Sequence, residues 1–257
     1  MMASLDRDGV SIHYQVHGEP TDRAPLLLTH GYSSSASMWA PNLAALGARR
    51  QIVTWDIRGH GQSGSSRRPE LYSEAASVGD MGGVLDAAGI DRAVVGGLSL
   101  GGYLSLAFHL GHPSRVTGLL LFDTGPGFKN DDARAQWNHY AETTAASFEH
   151  DGLASLSASP EVGADHQDPV GLAMAARGIL TQRDARIIES LPKIGVPTLV
   201  VVGADDRHFL AAANYMAAKI PNAELAVLTG AGHASNIDQP EAFNQEVARF
   251  LDRRDVA

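Results

Sequence analysis

Short, uninterrupted apolar runs recur along this chain, each stopping at a glycine, a histidine or an acidic residue. They cover residues 25–29 before His30-Gly31, 51–55 before Asp56, 92–96, 116–122 before Asp123, 198–202 before Gly203, and 224–228 before Thr229-Gly230. Strands buried on both faces read this way, because both sides of the pleat must be apolar. Such strands belong to parallel sheets covered by helices. Residues 10–16 predict one more strand. Helical spacing appears between the runs, at 73–88 with Gly89 suited to its end, at 100–109, at 210–219, and at 241–251 with Pro240 placed for a helix start. Alternating strand and helix predicts a doubly wound, mostly parallel α/β sheet. Ligands in such sheets bind at the C-terminal ends of the strands.

One stretch breaks the rhythm. Residues 124–191 contain no strand-like run and are rich in Ala, Ser, His, Asp and aromatic residues. They predict a helical cap inserted over the strand ends. The core domain is then 1–123 together with 192–257.

Composition narrows the function classes. A chain of 257 residues with 44% hydrophobic positions can bury a sizeable core. A formal net charge of −9, without blocks of like charge, argues against nucleic acid and against anionic lipid surfaces as partners. With no cysteine, disulfides and thiolate chemistry are excluded. The N-terminal residues show no basic segment leading into an apolar one, and no run is long enough to span a bilayer, so a cytoplasmic location is expected.

The most informative stretch is Gly97-Leu98-Ser99-Leu100-Gly101, directly after an apolar run. This is a G-x-S-x-G nucleophile elbow, in which a strained strand-to-helix turn lifts the serine hydroxyl clear of the sheet. A serine needs a base to take its proton. Of the eleven histidines, His233 stands out, in the glycine-rich loop Thr229-Gly230-Ala231-Gly232-His233 after the last strand. The imidazole needs a carboxylate to orient it. Asp205 and Asp206 both follow the preceding strand. His30 reads as a buried brace of its loop, His60 as a turn residue, and Asp56 and Arg58 as loop ties. Trp39, Phe128, Trp137, Phe148 and Phe209 are candidates to line a substrate pocket, the aromatic residues of the cap above all.

The order Ser, acid, His, together with Leu28-Thr29-His30-Gly31-Tyr32, Asp56-Ile57-Arg58-Gly59-His60-Gly61-Gln62-Ser63, Val196-Pro197-Thr198, Gly203-Ala204-Asp205-Asp206 and Gly232-His233, resembles the α/β-hydrolase superfamily over nearly the whole chain. The likeness is greatest to its capped serine esterase, lactonase and haloperoxidase-like branch. The resemblance makes 116–122 the sixth strand, favours Asp206 over Asp205, and implies an oxyanion hole formed by the backbone N–H groups of Tyr32 and Leu100. A serine at position 99 sets the chain apart from the epoxide hydrolases and haloalkane dehalogenases of the superfamily, which use aspartate there. The resemblance therefore implies hydrolysis of a small or medium carboxylic ester or lactone on Ser99, His233 and Asp206, with no cofactor and no metal. Thioester, amide or C–C hydrolysis, perhydrolysis, and a weakly catalytic ligand receptor are the alternatives.

Overall fold

Among the described residues, eight strands form: β1 (Met2–Arg7), β2 (Val10–His17), β3 (Leu26–Thr29), β4 (Ile52–Trp55), β5 (Ala93–Leu98), β6 (Val116–Phe122), β7 (Thr198–Gly203) and β8 (Ala223–Leu228). In the computed structural model they make one sheet in the order β1-β2-β4-β3-β5-β6-β7-β8. The residues described are 2–156, 159, 161–162 and 165–253. Residues 1, 157–158, 160, 163–164 and 254–257, which fall inside the domain boundaries drawn from the sequence, lie outside the described residues.

The pairs β1–β2 and β2–β4 are antiparallel, and β3 to β8 run parallel. The sheet is therefore mostly parallel, as the continuous apolar runs predict. The apolar runs do not point to strand β1. Its residues alternate between exposed and half-buried, and it carries Asp6 and Arg7, so it has no apolar run to betray it.

The helices are α1 (Ala40–Leu46), α2 (Glu74–Ala87), α3 (Leu100–Gly111), α4 (Asp131–Asp151), α5 (Pro169–Ala175), α6 (Arg186–Ser190), α7 (Leu210–Lys219), α8 (Ser235–Asp238) and α9 (Pro240–Arg253). Local chemistry sets their ends. The Ser73 hydroxyl accepts the Ala76 N–H at 3.0 Å to cap α2, and Gly89 beyond its far end takes φ +70°. The two faces of the sheet are covered separately. Val84, Leu104, Phe108 and Met216, from α2, α3 and α7, pack on one face. Leu46, Phe243, Val247 and Phe250, from α1 and α9, pack on the other. Each such side chain contributes about 2 kcal/mol on burial. A buried ion pair ties the loop after β4 to α2, with Arg58 Nε and Nη2 on the two Asp80 oxygens at 2.8 and 2.7 Å. Among the described residues, no helix is long and apolar enough to cross a membrane.

The register positions the site. Thr29 lies beside Gly97, Leu98 beside Phe122, Phe122 beside Val201, and Gly203 beside Leu228. Five parallel strands thus end level with one another. The residues that follow them, at 30–35, 99, 123, 204–209 and 229–235, gather at one edge.

Candidate active site

Ser99 joins β5 to α3 at φ 55° and ψ −116°, a region costly for any residue with a Cβ. Its surroundings impose that conformation. Its N–H donates to the Phe122 carbonyl at 2.9 Å, and its own carbonyl accepts the Thr124 hydroxyl at 2.6 Å. The flanking glycines are steric necessities. A Cβ on Gly97 would stand 2.4 Å from the Thr29 carbonyl oxygen, and one on Gly101 would stand 2.2 Å from the same atom. Leu100 opens α3, so its N–H is among those with no partner inside the helix.

The loop after β3 lies directly against the serine. A Cβ on Gly31 would sit 3.4 Å from Ser99 Cβ. His30, wholly buried, accepts the Ile57 N–H at Nε2 (2.9 Å) and donates from Nδ1 to the Gly31 carbonyl (2.6 Å). Burial holds His30 below the ordinary histidine range. Asp56 accepts the Ala36 and Gln62 N–H groups at 2.7 and 2.9 Å. These residues brace loops, as their sequence context indicates.

His233 Nδ1 lies 2.8 Å from Asp206 Oδ2, and Asp206 is 4% exposed. Asp205 is exposed, so the structure pairs His233 with Asp206 rather than with its neighbour. Burial alone would lower the imidazole. The hydrogen bond and charge of Asp206, helped by the charges of Asp123 and Glu161, outweigh it and lift His233 above its ordinary value. Phe209 stacks on the imidazole, with ring centroids 5.0 Å apart and planes at 22°.

Asp123, which the sequence marks only as the end of an apolar run, is a further functional candidate. It is fully buried, at φ 43°. Its carboxylate accepts the Gly203 N–H at 2.8 Å, the Ser235 N–H at 3.3 Å and the Ser235 hydroxyl. Gly203 begins the loop bearing Asp206, and Ser235 lies just beyond His233, so one side chain ties both loops. Burial pushes its carboxyl up to about 7, against the opposing hydrogen bonds. The available signal was positional, since Asp123 follows β6 as Ser99 follows β5.

The aromatic candidates separate. Trp39 has no accessible surface and packs against Phe122 at 5.9 Å, so it is a core residue and not a pocket wall. Phe148 is 3% exposed and sits with Ala145, Leu172, Ala173 and Ala176 under α4 and α5, its ring 6.3 Å from Tyr32. Phe128 and Trp137 are half-buried and lie 6.1 Å apart. His60 is buried between Gly59 (φ +80°) and Gly61 (φ +50°) and held well below its ordinary value by burial and by His30 and His166. His208 is exposed.

The profile of the Alpha/beta hydrolase family matches residues 26–246. A protein of Caulobacter sp. (strain K31), named provisionally as carbamate hydrolase RutD, is 32% identical over 259 residues, covering 93% of this chain and 95% of the relative. The 3-oxoadipate enol-lactonase 1 of Acinetobacter baylyi is 28% identical over 264 residues, covering 96% of this chain and 95% of that protein. The crystal structure of the enol-lactonase from Burkholderia xenovorans LB400 superposes with a TM-score of 0.79 at 28% identity, over 97% of this chain and all (100%) of that one.

Proposed function

Because this chain belongs to the alpha/beta hydrolase family and is a hydrolase, we propose that it cleaves a small or medium carboxylic ester or lactone through an acyl-enzyme on Ser99. The observation that carries this reading is the 2.8 Å contact between His233 and Asp206, on the same sheet edge as the strained elbow of Ser99. Asp206 accepts a hydrogen bond from Nδ1–H and stays ionised, so the Nε2 lone pair is left to take the proton of Ser99. The serine oxygen attacks the carbonyl carbon, and the carbonyl π electrons move to oxygen. The N–H groups of Tyr32 and Leu100 hold that oxyanion, and such donors are worth several kcal/mol. His233 returns the proton to the leaving alcohol as the C–O bond breaks. Water, deprotonated by His233, then attacks the acyl carbon, and His233 gives that proton to the Ser99 oxygen as the acyl C–O bond breaks and the acid is released. The proton inventory closes without a cofactor or metal. A lactone differs only in that the alcohol remains part of the product.

Residues 124–191 serve as the cap in this reading. The contact of Phe148 with Tyr32 and the pairing of Phe128 with Trp137 support an apolar underside suited to a short acyl group, and the Phe209 ring on His233 adds apolar surface from the core domain. Carbamate hydrolysis is a second reading on the same residues, favoured by the 32% identity to the relative named for it. There the intermediate is a carbamoyl-serine.

The test is turnover of p-nitrophenyl acetate and butyrate, and of a phenyl carbamate, by the wild type and by Ser99→Ala. The expected loss of kcat in the variant is on the order of 10^4 to 10^6-fold. A fluorophosphonate should label Ser99 covalently in the wild type alone. Ester turnover that survives Ser99→Ala would sink the acyl-enzyme reading. A preference for the carbamate would replace the ester reading with the second one.

A further inference from the structure

His166 makes two contacts that its own segment does not explain. It lies between β6 and β7, just ahead of α5, and is 6% exposed. Its Nδ1 accepts the Gly61 N–H at 3.0 Å. A nitrogen that accepts from a backbone amide carries no proton, so in the neutral ring the proton is on Nε2. Nε2 lies 2.9 Å from the Ser33 carbonyl and donates to it. Both ring nitrogens are therefore committed, each to a different loop, 105 and 133 residues away in sequence.

Those loops matter. Ser33 directly follows Tyr32 and takes φ 54°, a left-handed conformation that a serine holds only when neighbours fix it. The Ser33 carbonyl shares its peptide with the Ser34 N–H, which donates to the Gly31 carbonyl at 3.2 Å. That carbonyl in turn shares its peptide with the Tyr32 N–H, so the anchor at Ser33 is passed across the turn to it. Gly61 belongs to the loop that Asp56 binds to Ala36, on the far side of the same turn. The contact continues through rings, with His166 to His60 at 5.8 Å and His60 to Tyr32 at 5.4 Å, both edge-on. From above, the Tyr32 hydroxyl donates to the Leu172 carbonyl of α5 at 2.9 Å. The segment between β6 and β7 thus holds the Tyr32 loop through the Tyr32 side chain, by the Leu172 carbonyl and the Phe148 ring, and through the backbone, by His166.

We propose that His166 is a positioning residue for the oxyanion hole, reaching down from that segment to hold the Tyr32 N–H in place beside Ser99. This rests on the reading of Tyr32 as an oxyanion donor. The segment then does two jobs, since it covers the site and also completes it. A mutation or ligand that shifts α5 changes the rate of the chemical step as well as access.

The test compares His166→Phe, which keeps a ring but loses both hydrogen bonds, with His166→Gln, whose amide can accept and donate. Ester kinetics are measured for both and for the wild type. Displacing one oxyanion donor costs about 10- to 100-fold in kcat. The expected result for His166→Phe is a loss of that size, with KM within about twofold and the acid limb of the pH–rate profile unmoved, because His233 and Asp206 are untouched. His166→Gln should recover most of the rate. A thionoester of the same acyl group adds a specific readout, because sulfur accepts hydrogen bonds poorly. Its disadvantage relative to the oxygen ester should shrink in His166→Phe. Wild-type kcat in His166→Phe, an acid limb that moves, or an unchanged ester-to-thionoester ratio each overturns the proposal. If the phenylalanine variant does not fold, His166→Asn, with a shorter reach, is held to the same criteria. Failure of the acyl-enzyme reading itself shows separately, as turnover that persists in Ser99→Ala.

Discussion

At the scale of single residues, the base of the site is tuned by opposing influences. Burial works against charge on His233, and the carboxylates around it work more strongly for charge. In the proposed mechanism the imidazole must be neutral to accept a proton. The acid limb of kcat/KM is thus expected above the ordinary histidine value of about 6.5. Asp206→Asn removes the nearest charge and the acceptor for Nδ1–H. The limb should move to lower pH, and kcat should fall on the order of 10^3 to 10^4-fold through the wrong tautomer. Rates measured from pH 5 to 9 on both proteins check this, and a limb that stays in place would contradict the assigned role of Asp206. Asp205→Asn, at the exposed neighbour, should leave the profile unchanged.

At the scale of elements, the elbow depends on how closely α3 approaches β3. A methyl on Gly101 would sit 2.2 Å from the Thr29 carbonyl oxygen and 2.7 Å from that of His30, both backbone atoms that cannot swing aside. Gly101→Ala must push the helix off the strand and carry Ser99 and the Leu100 N–H with it. The expected cost is about 1–3 kcal/mol in denaturant unfolding, with fluorophosphonate labelling lost. Gly111→Ala, at the other end of α3, meets nothing nearer than 4.0 Å and should be neutral or stabilising. The same strands explain how much was legible in the sequence. Apolar runs announce β3 to β8, buried on both faces in β3 to β7 but on one face only in the edge strand β8, where Leu225 and Val227 are exposed. The chemistry follows the runs directly, so Ser99, the Asp205-Asp206 pair and His233 stand out by position. What escaped notice depends on partners remote in sequence. Asp123 gains its meaning from Ser235, 112 residues on, and His166 from Gly61 and Ser33. Trp39 looked like a pocket residue because sequence shows aromatic character but not which face of the sheet it packs on. Strand β1 and helix α1 lack a strong apolar pattern and are held by pairing and packing.

At the scale of the whole molecule, the buried titratable groups set opposing demands on pH. His30 and His60 are held below their ordinary value, so they stay neutral in the folded chain where the unfolded chain would charge them. Their contribution to stability is present above about pH 6.5 and is lost as pH falls below it. Asp123 has the reverse sign. Folded, it keeps its proton up to about 7, whereas an unfolded aspartate releases it near 3.9, so its contribution shrinks as pH climbs toward 7. His233, raised in the folded chain, likewise loses its contribution as pH rises from about 6.5 through its folded value. Stability is therefore expected to peak close to pH 6.5, while the proposed catalysis improves above it. Urea unfolding midpoints from pH 5 to 8.5, set beside kcat/KM over the same range, check this. A stability maximum at or above the plateau of activity would contradict it. The tether that aligns the two loops is thus a buried acid that keeps its proton up to about 7. The practical outcome is a protein that stores best at a pH below the one where it works best.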